Sequence, residues 1–160
     1  MHIERRIAEL GLVLPKPLTP PRGVELPFPF VRIRGQRAFV SGHGPTAPDG
    51  SITGPFGKVG LDVSLEQARK AAELTGLAML ASLRAALGDL DRVTAWLRVF
   101  GMVNTSPGFT QTPAVLNGCS ELILRLWGPE DGAHARSAVG MAALPFNLPV
   151  EIEAEVEISV

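Results

Sequence analysis

Apolar and polar residues alternate without a break from Val150 to Val160. Val150, Ile152, Ala154, Val156, Ile158 and Val160 fall on one side, and Glu151, Glu153, Glu155 and Glu157 on the other. A period of two predicts a half-buried β-strand. It also raises the question of why one strand lines up four carboxylates. Upstream, "FVRIRGQRAFVSG" predicts two short strands about a Gly35-Gln36 turn. Between residues 64 and 88 the period lengthens: Leu65, Ala68, Ala72, Gly76, Met79, Leu83 and Leu87 recur at helical spacing. Ser64 and Gln67 form a capping-box pattern at its start, and Gly88 stops it. The Ala- and Gly-rich stripe predicts close packing on a sheet.

"RVTAWLRVFGMVN" is apolar on both faces, as a central buried strand would be. A second helix is expected from Thr112-Pro113, a cap followed by proline in the first turn, to Gly128. "ARSAVGMAAL" and the Glu-bearing tail add two strands joined by "PFNLP". At the other end, "MHIERRIAELGL" predicts a short amphipathic helix with Ile3, Ile7 and Leu10 on one face. A proline-rich arm over 12–27 and a glycine-rich loop over 42–60 complete the chain. The order β-β-α-β-α-β-β predicts one α+β domain over 1–160, a core of 26–160 preceded by the helix and arm of 1–25, with the helices on one sheet face.

That arrangement leaves the glutamate face bare. The plain reading has those side chains facing water, but the same face carries residues of "AWLRVFGM" and "SAVGMA", too apolar to stay wet. Association through this face is therefore expected, with some glutamates lining clefts between subunits.

Composition narrows the function. Fifteen Lys+Arg balance sixteen Asp+Glu, and the one short basic stretch, Arg32, Arg34 and Arg37, reads equally well as a solvated hairpin. With no tyrosine for base stacking, a nucleic-acid partner has little support. No apolar run approaches the ~20 residues of a membrane span. The N-terminal stretch lacks a leader's continuous apolar core, and a single cysteine, Cys119, forms no intrachain disulfide. These point to the cytoplasm. His2, His43 and His134 show no ligand spacing, so no metal is expected. The "GK" at 57–58 lacks a phosphate loop's glycine spacing and following Ser/Thr.

In order and spacing, "FVSGHGP", "GDLDRVTAWLRVFGMVN", "FTQTPAVLNG" and "ARSAVGMAALPFNLPVEIEAE" resemble the RidA/YjgF family over roughly residues 26–160. The N-terminal helix and long central loop resemble a longer branch of it. The resemblance implies a chorismate-mutase-like fold, a mixed sheet whose four-strand core has the last strand between the first and second. It also implies a homotrimer with ligand sites between subunits, and hydrolysis of small 2-imino acids and their enamines to 2-oxo acids and ammonia, without cofactor or metal. By the same resemblance Arg136 would grip the substrate carboxylate and Glu151 would face the water or imine nitrogen. Gly42 and the backbone at Ala138 would hold polar groups, and Asn117 would line the pocket. Three positions depart from the family: Ala138 replaces a cysteine, Phe28 a tyrosine and His43 a glutamine.

On residue chemistry, the Arg136 guanidinium suits a carboxylate, and equally an interface ion pair with one of the glutamates. Glu151 could relay a proton from water to the departing amine if burial and Glu153 raise its pKa. Otherwise it is a structural glutamate. His43 offers a base, although a lone histidine in a glycine-rich loop is more often incidental. Cys119, Trp96 and Trp127 read as core. Placing Arg136 and Glu151 at the starts of successive strands predicts side chains roughly 20 Å apart within one subunit. A shared site would then need two subunits. The rivals are a non-catalytic module for small carboxylates or proteins, a ribonuclease, and chorismate-type chemistry.

Overall fold

The computed structural model describes residues 2–20 and 23–159. Pro21 and Arg22 of the arm and Val160 of the final alternation lie outside the described residues. The elements run α1 (His2–Glu9), β1 (Val31–Arg34), β2 (Arg37–His43), α2 (Leu65–Leu87), β3 (Val93–Asn104), α3 (Thr112–Asp131), β4 (Ala135–Met141) and β5 (Val150–Ile158). The sheet order is β1-β2-β5-β3-β4, so the last strand sits at the centre, between β2 and β3. It is antiparallel to both, whereas β3 and β4 run parallel and are joined through α3. A parallel pair needs such a crossover, and the helix supplies it. The sheet is thus mixed, and the fold is α+β with α2 and α3 on one face.

The central place of β5 follows from its alternation. Val150, Ile152, Ala154, Val156 and Ile158 are all buried under the helices. The start of α2 carries both halves of the capping box, and Gly88 closes it in the left-handed region at φ 82°. Gly76 does not face the sheet, as the stripe suggests, but α3: a Cβ there would lie 2.9 Å from Leu122 and 3.3 Å from the Cys119 sulfur. Gly118 answers from the other helix, where a Cβ would overlap the Arg69 carbonyl of α2. The small residues therefore serve helix–helix contact.

One expectation needs correction at α3. The Thr112 side chain caps nothing; its hydroxyl donates to the Ala138 carbonyl at 3.0 Å and ties the helix start to β4. The helix reaches Gly128 as expected, where a non-helical backbone (φ 81°, ψ −179°) breaks it before a last short turn to Asp131. Pro129 disfavours a helical residue before it, and glycine takes the alternative without strain. Trp96 is fully buried against Trp127, whose indole N–H donates to the Val93 carbonyl. The first helix is no loose extension, because Ile3 and Ile7 enter the core and Arg6 donates to the Leu126 carbonyl at 2.7 Å. Among the described residues no helix is long and apolar enough to cross a membrane.

Gly118→Ala should destabilise the fold by about 1–3 kcal/mol, because backbone rather than a movable side chain opposes the new methyl. Urea unfolding would show the midpoint fall with unchanged m-value. An unaltered midpoint would mean that α2 and α3 can separate freely.

Candidate functional site

Arg136 lies on the edge strand β4 in register with Val99, which pairs with Ala154 of β5. Partners in register share a face, and Ala154 is on the helix-covered side. Arg136 accordingly reaches α3. Its guanidinium donates to Asn117 Oδ1 at 2.9 Å, Ser120 Oγ at 3.0 Å and the Pro113 carbonyl at 3.3 Å. Among the described residues no glutamate of the same chain pairs with it.

Hydrogen-bond accounting extends this cluster. The Ser120 hydroxyl is 2.9 Å from His134 Nε2, and His134 Nδ1 is 2.7 Å from the Gly132 carbonyl. A carbonyl only accepts, so Nδ1 donates; Nε2 of the neutral ring then accepts from Ser120, whose oxygen accepts from Arg136. Each link leaves the next with one role, and the guanidinium is oriented before any ligand arrives. Burial holds the His134 pKa below the ordinary histidine value, partly offset by the Gly132 carbonyl and helped by the charge of Arg136.

Glu151 points the other way. It pairs with Met102, three positions along β3 from Val99, and belongs to the bare face. Its carboxyl lies over Gly42, where a Cβ would overlap Oε1. Among the described residues no donor reaches that carboxyl. Burial, and then the charge of Glu153, push its pKa up. It opens onto a cavity of about 450 Å³ that also touches Phe28, Gly42, Phe146 and Leu148. The other carboxylates of β5 are employed differently. Glu155 pairs with Arg37 at 3.0 Å and Glu157 accepts from Thr94 at 2.9 Å. Glu153 faces a second hollow of about 320 Å³ with Arg32 and Arg98.

Arg136 and Glu151 thus occupy opposite faces of one sheet. Two strand spacings and three residues of rise separate their backbones by about 14 Å. The roughly 20 Å expected between the side chains assumed strands laid end to end; β4 and β5 instead overlap across β3, and the two side chains diverge to opposite faces. The conclusion that the two do not meet within one chain is unaffected.

The structure brings Asn117 to Arg136, and Gly42 and Phe28 to the cavity of Glu151. Ala138 offers a partly exposed edge whose carbonyl already accepts from Thr112. His43 is the correction. Its ring turns into the core between β2 and α2, 1% exposed. Nδ1 donates to the Ser41 carbonyl at 2.6 Å and Nε2 accepts from Ser82 at 2.8 Å. Both nitrogens are engaged and burial lowers the pKa, so His43 is no base and touches no ligand space. Its ring instead backs Phe30, 5.2 Å away between centroids. Cys119 is fully buried with its thiol pushed up to about 12, an inert packing group.

Sequence reasoning missed Ser120, His134 and Phe146. Ser120 stands one helical turn after Asn117, a spacing that shares a face and could have revealed it. Phe146 gave no such signal. For a cation, the candidate donors are Glu4, Asp89 and Asp91, whose carboxyl oxygens lie within 4.8 Å of one another. Asp91 there accepts the amides of His2 and Ile3, far from both cavities, and serves the seating of α1.

No family model matches the chain. It is 36% identical over 158 residues to Protein TCP17 of Trypanosoma cruzi, covering 99% of this chain and 95% of that one. The crystal structure of Atu1372 from Agrobacterium tumefaciens, of unknown function, is 42% identical over 99% of this chain and 93% of its own, with a TM-score of 0.87. A Shewanella oneidensis protein provisionally described as an endoribonuclease matches with the same TM-score at 27% identity, covering 99% of this chain and all of its own. RidA from an Antarctic Psychrobacter, at 22% identity over 89% of this chain and 94% of its own, shares the fold with a TM-score of 0.57.

The buried His43 and the half-buried His134 both have pKa values lowered below 6.5, so the unfolded chain binds more protons around that pH. Their contribution to stability is present above pH 6.5 and lost as pH falls through the lowered folded values. Denaturant midpoints should therefore drop between pH 7.5 and 5, and His43→Leu should flatten the dependence. A pH-independent midpoint would contradict the assigned neutral rings.

Proposed function

The chain belongs to the RidA/YjgF family, and from that premise we propose that it hydrolyses 2-imino acids at clefts between the subunits of a cytoplasmic homotrimer. The observation that carries the reading is the opposite-face placement. A fixed guanidinium on one side of the sheet and an unpartnered carboxyl on the other make two half-sites. A ring of identical copies can join the Arg136 half of one protomer to the Glu151 half of the next. The bare face supports association, with Phe39, Val139 and Met141 each more than a third exposed.

In this reading the substrate carboxylate takes the fork of Arg136, which Asn117 and Ser120 hold ready. The imine carbon then lies toward the neighbour's Glu151. That carboxylate removes a proton from water as the oxygen bonds to C2 and passes it to the imine nitrogen, giving a tetrahedral amino alcohol. It then takes the hydroxyl proton and delivers it to the amine as C2=O forms and the C–N bond breaks, releasing ammonia and the 2-oxo acid. A glutamate with an ordinary pKa is a weak base; the raised value of Glu151 brings it nearer the working range. A ribonuclease reading has less behind it, since His43 and His134 have both nitrogens engaged.

Arg136→Ala and Glu151→Gln should each abolish imine hydrolysis in a coupled assay. Mixed as dissociated chains and reassembled, they should regain about a quarter of the wild-type sites, because random rings restore some clefts. A mixture as dead as its parents would rule out a shared site.

Glu153→Gln removes the charge that adds to the Glu151 shift. The acid limb of kcat/KM in wild type should lie above the ordinary glutamate value of 4.5 and move toward it in this variant. A limb indifferent to Glu153 would take Glu151 out of the proton relay.

A further inference from the structure

The cavity beside Glu151 has a composition that the proposed chemistry does not require. Among the described residues its walls are almost wholly apolar, with Thr19 and Glu151 as their only polar side chains. One side is built by the N-terminal arm through Leu18, Val24 and Leu26, the other by Phe28, Phe30 and Phe146. Phe28 and Phe30 meet edge to face at 87°, centroids 6.3 Å apart. At about 450 Å³ the space falls in the range of small-molecule sites.

Phe146 is the informative residue. It sits in the left-handed region at φ 56°, ψ 18°, as does its neighbour Asn147 at φ 56°. A bulky residue adopts that conformation only when its surroundings impose it. Here Asn147 imposes it. Its carbonyl accepts from Gly57 at 2.8 Å, its amide donates to Leu144 at 3.1 Å, and its side-chain oxygen accepts from Asn104 at 3.1 Å. The result is a phenyl ring left 63% exposed at the cavity rather than packed. A ring held in strain and kept out of the core has its use at the cavity.

The arm is held with similar care. Beyond the anchored α1, Lys16 donates its amide to the Pro48 carbonyl at 3.0 Å. Gly50, at φ 87°, lets the arm pass so close that a Cβ there would lie 2.8 Å from the Lys16 and Pro17 carbonyls.

We propose that this arm-built cavity receives the substrate's own side chain, making the chain selective for 2-imino acids that carry a bulky apolar group, aromatic above all. The inference rests on the deaminase reading for the word imino, not for the preference itself. Phenyl walls offer edge and face contacts to another ring. A polar substituent would lose its water and, away from Thr19 and Glu151, meet only apolar side chains among the described residues, so the walls disfavour it as well as favouring its apolar rival. Phe28, with no hydroxyl to donate, fits the same preference.

Calorimetric titration with 3-phenyl-2-oxopropanoate and with 2-oxopropanoate, the products of a bulky and a small substrate, reads the preference without chemistry. Wild type should bind the phenyl acid at least about tenfold more tightly. Phe146→Ala and, separately, Gly50→Ala should each cut that ratio about threefold or more, with circular dichroism confirming that both fold. Equal affinities, no binding of either acid, or a ratio unmoved by both variants overturns the proposal. Imines made from phenylalanine and alanine then separate it from the reading beneath. Equal hydrolysis of both discards the selectivity and keeps the deaminase; a preserved binding ratio without hydrolysis discards the deaminase and keeps the pocket.

Discussion

A sheet with helices on only one face imposes a separation on whatever its strands carry. The strict alternation of β5 gives its apolar side chains to α2 and α3, so Glu151 must project from the bare side. Arg136, in register with the buried row, must project toward α3. No side-chain rotation brings the two together through a packed core. Chemistry that needs both is thereby tied to association. The same geometry accounts for the apolar residues left on the bare face of an otherwise well-buried chain.

The two halves are prepared in different ways. Arg136 is held by a relay in which every donor has one acceptor, running through Ser120 to His134 and the Gly132 carbonyl. Such a chain fixes direction more than it adds stability, since each neutral link is worth only ~1 kcal/mol net. Glu151 is instead left without a donor, half desolvated and crowded by a like charge. Leaving Glu151 so costs stability locally, and β5 offsets that cost because its other side chains lie in the core. The question posed by four carboxylates on one strand thus has several answers. Two are tied to Arg37 and Thr94, one faces a hollow with two arginines, and one is kept free beside a cavity.

Legibility in the sequence tracked how local the cause was. The strand period, the Ser64–Gln67 box and the Gly88 stop are local, and the elements stand where those signals put them. The partners of Gly76 and Gly118 are not local; small residues announce a close approach without saying to what, and the answer was another helix rather than the sheet. His43 shows the opposite failure. Its loop-edge position suggested access to ligand, but the β-bulge between Val40 and His43 sets its register with Ile152 on the core side. A one-residue change of phase reverses a strand's facing, and no motif reveals a bulge in advance. Phe146 stayed hidden because its exposure depends on Asn147 and, beyond it, on Gly57 and Asn104 from distant segments.

The N-terminal arm shows how a sequence distant from the chemical groups can still shape them. Proline-rich segments fold cheaply into extended paths because little backbone freedom remains to be lost. A path without regular hydrogen bonds nevertheless needs fixed ends, and here α1 and the Gly50 turn provide them. Once so held, the arm converts the Glu151 side of the sheet from an open surface into a cavity. Burial is the leading cause of the raised Glu151 pKa. On the proposed reading, the wall that confers an apolar preference also keeps water from the carboxyl, so selectivity and basicity draw on the same excluded solvent. Loosening the wall would relax both together.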